Sequence, residues 1–195
     1  MSEERKSTLD RLSQAVKILE TCPELVILIP EVRTNIVFAL PAAQTPDDVA
    51  GVDGRITVVN NRPRAAGEVR FGASDHLARL VIELRRFEMA VRAAVNFRWN
   101  EGIHQFVSEW ARVRGKMMGV IDRIREPEEI IGRDKMSIPW KVKELLASTG
   151  GKVPEIAYET KGWGKEPLFI LIGQEPVALA QQLVEIAKGY AQSSG

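Results

Sequence analysis

Short apolar runs that suit strands alternate along this chain with longer stretches whose apolar residues recur at helical spacing, and proline or glycine separates most of them. Elements that alternate in this way bury their apolar faces only if the helices lie against a sheet, so the expected fold class is α/β. The expected strands are residues 25–29, 36–40, 56–59, 68–71, 91–99, 117–121, 156–158 and 168–172, with Asn60-Asn61 turning one hairpin. Ser7 is positioned to cap a first helix with Leu9, Leu12, Val16 and Leu19 on one face. Thr45-Pro46-Asp47-Asp48 carries a cap, a proline at the first position and acids for the dipole, so it predicts another helix. Further helices are expected from Ser74 to about Phe87, over residues 101–113 between Asn100 and Gly115, from Ser137 with Pro139 early, and from Pro176. No repeat, low-complexity tract or linker divides the 195 residues, so one domain is expected with its core over about 9–188, and residues 1–6 and 192–195 are expected to fray.

Composition excludes several functions. With 45% hydrophobic residues and 27% charged ones the chain can bury a core, and a net charge of +1 offers no footprint for nucleic acid. No apolar run approaches 18 residues and the first ten residues are charged, so neither a membrane span nor a signal peptide is expected, and the expected location is cytoplasmic. Cys22 is the only cysteine, which rules out an internal disulfide, and it reads as a buried, inert thiol. Two histidines are too few for a histidine-built metal centre, and His104 reads as structural. The chain has no G-x-S-x-G elbow, no Walker spacing around Lys165 and no G-x-G-x-x-G after a strand.

The chemistry concentrates in polar segments at strand ends. In Phe71-Gly72-Ala73-Ser74-Asp75-His76 a strand turns into a helix. Gly72 permits a tight turn, Ser74 is a good N-cap, and the first helical N–H groups favour an anion. An ordinary capped helix explains the same residues. Asn35, Gly54-Arg55, Asp122 to Glu126 and Gly162 to Glu166 are the other polar segments. If they converge, they make a pocket of several cations, one imidazole and a few carboxylates, suited to polyanionic substrates, with the carboxylates able to hold Mg²⁺. Taken singly, Arg55 reads equally as a surface ion pair and Asp122-Arg123 as a solvated turn.

Six segments in order resemble the archaeal ThiN-type thiamine-phosphate synthase domain. They are Ile29-Pro30-Glu31-Val32-x-x-Asn35, Asp48-Val49-Ala50-x-Val52-x-Gly54-Arg55-Ile56, Phe71-Gly72-Ala73-Ser74-x-His76-x-Ala78-Arg79, Arg92-Ala93-Ala94-x-Asn96, Asp122-Arg123-x-x-Glu126-Pro127 and Gly164-Lys165-Glu166-Pro167. The resemblance implies a class II aldolase-like fold, three layers α/β/α with a mixed, largely antiparallel sheet. It implies a transferase that joins hydroxymethylpyrimidine diphosphate to hydroxyethylthiazole phosphate with release of pyrophosphate. Arg55 and His76 match the catalytic pair. Asn35, Gly72, Ser74, Arg79, Asn96, Arg123 and Lys165 are then candidate substrate or phosphate contacts, Asp122 and Glu126 candidate Mg²⁺ ligands, and a homodimer the expected assembly.

The chain also departs from the pattern. The resemblance leads one to expect glycine where Arg33 stands, an acid and a glycine where Lys135 and Met136 precede Ser137, and aspartates where Glu159, Thr160 and Trp163 stand. The same domain type also serves as a sensor, so the alternative to the synthase is a non-catalytic domain that binds thiamine phosphate. Retention of Arg55 and His76 favours the synthase.

Overall fold

The computed structural model describes residues 2–131, 134–162 and 164–193; Trp163 lies outside them, as does the side chain of Lys135. Among the described residues the helices are α1 (Glu3–Glu20), α2 (His76–Leu84), α3 (Glu101–Val113), α4 (Asp134–Ser148) and α5 (Pro176–Ser193). The strands are β1 (Ile36–Ala39), β2 (Val49–Val52), β3 (Ile56–Val59), β4 (Arg62–Ala65), β5 (Val69–Phe71), β6 (Ala93–Arg98), β7 (Met118–Ile121), β8 (Ile156–Glu159) and β9 (Leu168–Gly173).

Seven strands form one mixed sheet in the order β5-β2-β1-β6-β9-β8-β7, and β3 and β4 form a separate hairpin. Within the large sheet β7 and β8 run parallel and the other neighbours antiparallel. Successive strand residues point to opposite faces, and the core divides accordingly. Ile36 and Phe38 of β1 join α1, α3 and α5 in one apolar cluster, while Val37 and Ala39 join α2 and α4 in the other.

Most local expectations match in kind. Asn60 and Asn61 turn the β3–β4 hairpin with φ of 48° and 55°, the left-handed geometry that asparagine tolerates. Asn100 caps α3 by accepting the Ile103 N–H at 2.7 Å. Other expectations need correction. Residues 25–29 are not a strand: Pro23–Leu28 is a 3₁₀ helix whose buried Leu25 and Leu28 stand three apart, one turn of that helix. Thr45 does begin a capped turn, but it stops at Asp48, because Val49–Val52 pairs into the sheet. The first helix is capped by Ser2, not Ser7, and α5 runs to Ser193, so residues 3–6 and 192–193 are helical. Ser137 lies inside α4 and does not cap it.

Arg33 has φ 69°, a conformation that glycine adopts without cost. The glycine expected there is therefore explained by the backbone, which this chain keeps with an arginine in place.

Candidate functional site

On the α2 and α4 face of the sheet, the positions that would continue the apolar core become polar near the strand ends. Asn35 just before β1, Asn96 in β6 and Glu159 at the end of β8 have the same parity as Val37, Ala94 and Ala157 of the core beneath α2 and α4. They border a cleft of about 390 Å³. The structure brings Asn35, Arg55, Ser74, His76, Asn96, Arg123 and Lys165 to this cleft, and Gly72, Arg79, Asp122 and Glu126 stand outside its lining.

Asn35 and Asn96 spend their amides on backbone. The Asn35 side chain accepts the Val52 N–H at 3.0 Å and donates to the Val52 carbonyl at 3.1 Å. Asn96 accepts the Asn35 N–H at 2.8 Å and donates to the Arg33 carbonyl at 3.0 Å. They fix the cleft floor where the sheet ladder loosens. Leu168 and Ile170 of β9 supply apolar surface beside them, and Val32 and Leu77 supply the rest.

Arg55 sits immediately before the β3–β4 hairpin with φ 71°, and its guanidinium donates to the Val32 carbonyl. Glu166 holds the same loop from the other side, accepting the N–H groups of Glu31 at 3.2 Å and Val32 at 2.7 Å. Lys165 precedes Glu166 in a turn closed by a Gly162–Lys165 bridge.

The turn into α2 differs in detail from the expectation. Helix α2 begins at His76, and the cap position is Asp75 rather than Ser74. Ser74 comes one residue earlier and faces the cleft; a side chain at Gly51 would put its Cβ 3.2 Å from that of Ser74, so glycine in β2 lets the Ser74 turn pack closely. Gly72 has φ 70° and shapes the turn against Asp47. Arg79 forms an ion pair with Asp75 at 2.8 Å, one turn back on the helix.

Behind His76 lies a buried ionic cluster, of which sequence reasoning named Arg123 and Glu126 as candidate site residues but missed Lys141. Lys141 of α4, 1% exposed, sits 2.7 and 2.8 Å from the two Glu159 oxygens and 3.0 Å from His76 Nε2. Arg123 donates to Glu159 and to Glu126, each at 2.7 Å, and Ser137 donates to Glu126 at 2.7 Å. Burial alone would raise the Glu159 pKa; attraction to the neighbouring cations, Lys141 foremost, overrides it and holds the group at about 2. Burial pushes the Lys141 pKa down, and Glu159 opposes that shift. Glu126 is held low against its own burial by Ser137 and Arg123. One signal was present: Ser137, Lys141 and Leu145 are spaced i, i+4, i+8, which puts the lysine on the buried face of α4.

The carboxylates offer little to a metal by themselves. Asp122 accepts from the Ile124 N–H at 3.2 Å and the Thr160 hydroxyl at 3.3 Å, and Glu126 is occupied as described. Among the described residues no three metal-ligating side chains converge. Cys22 is buried, which pushes its thiol pKa up, and His104 packs its ring between Trp99, Tyr158 and Phe169, as a structural role requires. No helix among the described residues is long and apolar enough to cross a membrane.

Comparison with known proteins adds four likenesses. A family profile described as Thiamine-phosphate synthase ThiN matches residues 11–185. The chain is 33% identical over 187 residues to Thiamine-phosphate synthase ThiN of Methanothermobacter thermautotrophicus, covering 96% of each. Its structure superposes on the C-terminal domain of phosphomethylpyrimidine kinase with a TM-score of 0.85 and 38% identity, covering 96% of this chain and all of that one. An aldolase II superfamily protein from Pseudomonas syringae matches with a TM-score of 0.51 over all of this chain and 79% of that one, and at 12% identity it speaks to fold alone.

Proposed function

Because the chain belongs to the thiamine-phosphate synthase ThiN family, we propose that it couples hydroxymethylpyrimidine diphosphate to hydroxyethylthiazole phosphate, giving thiamine phosphate and pyrophosphate. The observation that carries this reading is the convergence of Arg55, His76 and Lys165 on one cleft. The two apolar clusters on alternate faces of the sheet support the three-layer, class II aldolase-like description.

In this reaction the methylene carbon of the pyrimidine loses its bond to the diphosphate oxygen, which departs with the electron pair. The thiazole nitrogen supplies the pair for the new C–N bond. No protein nucleophile is needed, and the barrier falls with stabilisation of charge on the leaving group. Arg55 and Lys165 are assigned to the phosphate oxygens, where charge-assisted hydrogen bonds are strongest. The start of α2 brings Ser74, His76 and Leu77 to the same wall, with the positive end of the helix dipole behind them. His76 donates a hydrogen bond or a proton to the departing diphosphate. Val32, Leu77, Leu168 and Ile170 give the heterocycles an apolar seat and exclude water.

Mg²⁺ fits this cleft as a companion of the substrate more than as a resident ion. It keeps several waters and binds through one or two carboxylates plus phosphates. Glu159 and Glu126 are committed to cations and Glu166 to backbone N–H groups, so Glu31, exposed at the rim, is the carboxylate proposed to hold it. When bound, the ion would neutralise charge on the leaving diphosphate.

The test is a coupling assay on the purified chain with both substrates and Mg²⁺. Thiamine phosphate and pyrophosphate should appear in equal amounts. Thermal stabilisation by thiamine phosphate with no product formed would overturn the synthase in favour of the sensor.

A further inference from the structure

The coupling reaction derived above gives Lys141 no task, yet the lysine lines the cleft from within α4 and is almost fully buried. Its Nζ has three close acceptors: the two Glu159 oxygens and His76 Nε2, at 2.8, 2.7 and 3.0 Å. An ammonium carries three N–H groups and no lone pair, so each contact is a donation. A neutral amine would satisfy the same distances by accepting from the ring, and charge decides between the two. Arg123 faces both Glu126 and Glu159, and all three side chains are no more than 6% exposed. With Lys141 and His76 both neutral, one guanidinium would be left to balance two buried carboxylates, and the uncompensated charge would have no solvent to hold it; the second positive charge belongs on Nζ, the atom that touches both Glu159 oxygens. With Lys141 protonated, the cluster sums to zero.

We infer that Lys141 is a positioning residue for His76: its ammonium donates to Nε2 and so fixes the imidazole as the neutral tautomer with its proton on Nδ1. The inference rests on the reading that His76 serves the coupling reaction, and it specifies how. The hydrogen of the neutral ring is then at Nδ1, and the ring is oriented before substrate arrives. Glu159 acts one step further back, holding the ammonium in place from the end of β8. This is the arrangement by which an outer hydrogen bond selects the working nitrogen of a histidine.

The experiment uses the full chain labelled with ¹⁵N-histidine. Only His76 and His104 contribute signals, and the spectrum of H76Q identifies the His76 pair. At neutral pH the expected result is a pyrrole-type Nδ1 and a pyridine-type Nε2 at His76; a pyrrole-type Nε2 overturns the inference. In K141M the tautomer should shift toward Nε2–H, with kcat falling about tenfold to hundredfold, the range found for outer hydrogen-bond partners of metal-bound histidines, and KM nearly unchanged. A K141M spectrum and kcat like those of the wild type also overturn it. Should K141M fold poorly, K141M/E159Q keeps the buried charge at zero and carries the same readouts. If the wild-type chain makes no thiamine phosphate, the functional reading fails; if it turns over with the proton on Nε2, only the role of Lys141 fails.

Discussion

Val32 is gripped at both of its backbone polar groups: its N–H donates to Glu166 at 2.7 Å and its carbonyl receives the Arg55 guanidinium. The loop before β1 is therefore the joint between the hairpin bearing Arg55 and the turn bearing Lys165. Replacing Glu166 with alanine frees two N–H donors at the rim and loosens that joint. The expected outcome is a loss of about tenfold in kcat/KM, near 1.4 kcal/mol of transition-state stabilisation, mostly through a higher KM. Steady-state kinetics with each substrate varied in turn would check it, and an unchanged KM for both would count against the joint.

Arg55 combines an assigned function with a strained backbone. Its φ of 71° costs a residue with a Cβ about 1 kcal/mol or more, which glycine avoids. R55G should therefore keep its melting temperature within about 4 °C of the wild type, the shift that corresponds to roughly 1 kcal/mol in a domain of this size. It should nonetheless lose coupling by a factor of about 100 or more, as removal of one charge-stabilising donor does. A melt and a coupling assay on the same preparation decide the matter.

For Glu159 the sign of the pH effect follows from its folded value of about 2 against 4.5 for an ordinary glutamate. A carboxyl held below its unfolded value adds stability that is fully present above about pH 4.5 and is lost as pH falls from there toward 2. E159Q should lose that acid-side dependence. At pH 7 it should also be destabilised by about 3–5 kcal/mol, because Lys141 is left buried without a carboxylate partner. Thermal melts between pH 7 and pH 3 on both proteins would show the two curves converging at the acid end.

Gly119 tests packing away from the cleft. A Cβ there would fall 2.6 Å from Leu145 Cδ1, 2.8 Å from Thr149 Cγ2 and 3.1 Å from Pro154 Cγ. Leucine can move, but the proline ring has no rotamer to change. G119A should cost about 1–3 kcal/mol, read as a lower midpoint in denaturant with the same slope, while turnover at 25 °C stays near normal.

How much of this was legible beforehand depended on whether a residue's neighbours lie near it in the chain. The α3 caps and the Asn60-Asn61 turn are local, and the sequence pattern located them. Residues 25–29 were misread because a five-residue apolar run suits a strand and a buried 3₁₀ turn equally, and only packing against α5 separates the two. Thr45-Pro46-Asp47-Asp48 has every signal of a helix start, but no local signal says that the next four residues are claimed by β1 and β5. Arg55 and His76 were singled out by family resemblance, since neither segment alone departs from an ordinary turn. Lys141 went unnoticed because an isolated lysine in an amphipathic helix normally faces water. Its partner Glu159 is 18 residues away and meets it only once β8 and α4 are packed.

The hairpin that follows Arg55 is not part of the seven-stranded sheet, and Thr34 joins it through a single bridge to Ile56. His76, by contrast, is rooted in a core helix backed by a salt-bridged cluster. The two halves of the proposed reaction centre thus stand on different parts of the fold, one on a core helix and one at the root of a hairpin whose Ile56 is buried in the core cluster shared with α1 and whose Ala65 N–H donates to Glu20. The gap between guanidinium and imidazole is therefore set by how that hairpin seats on α1, not by the ladders of the seven-stranded sheet.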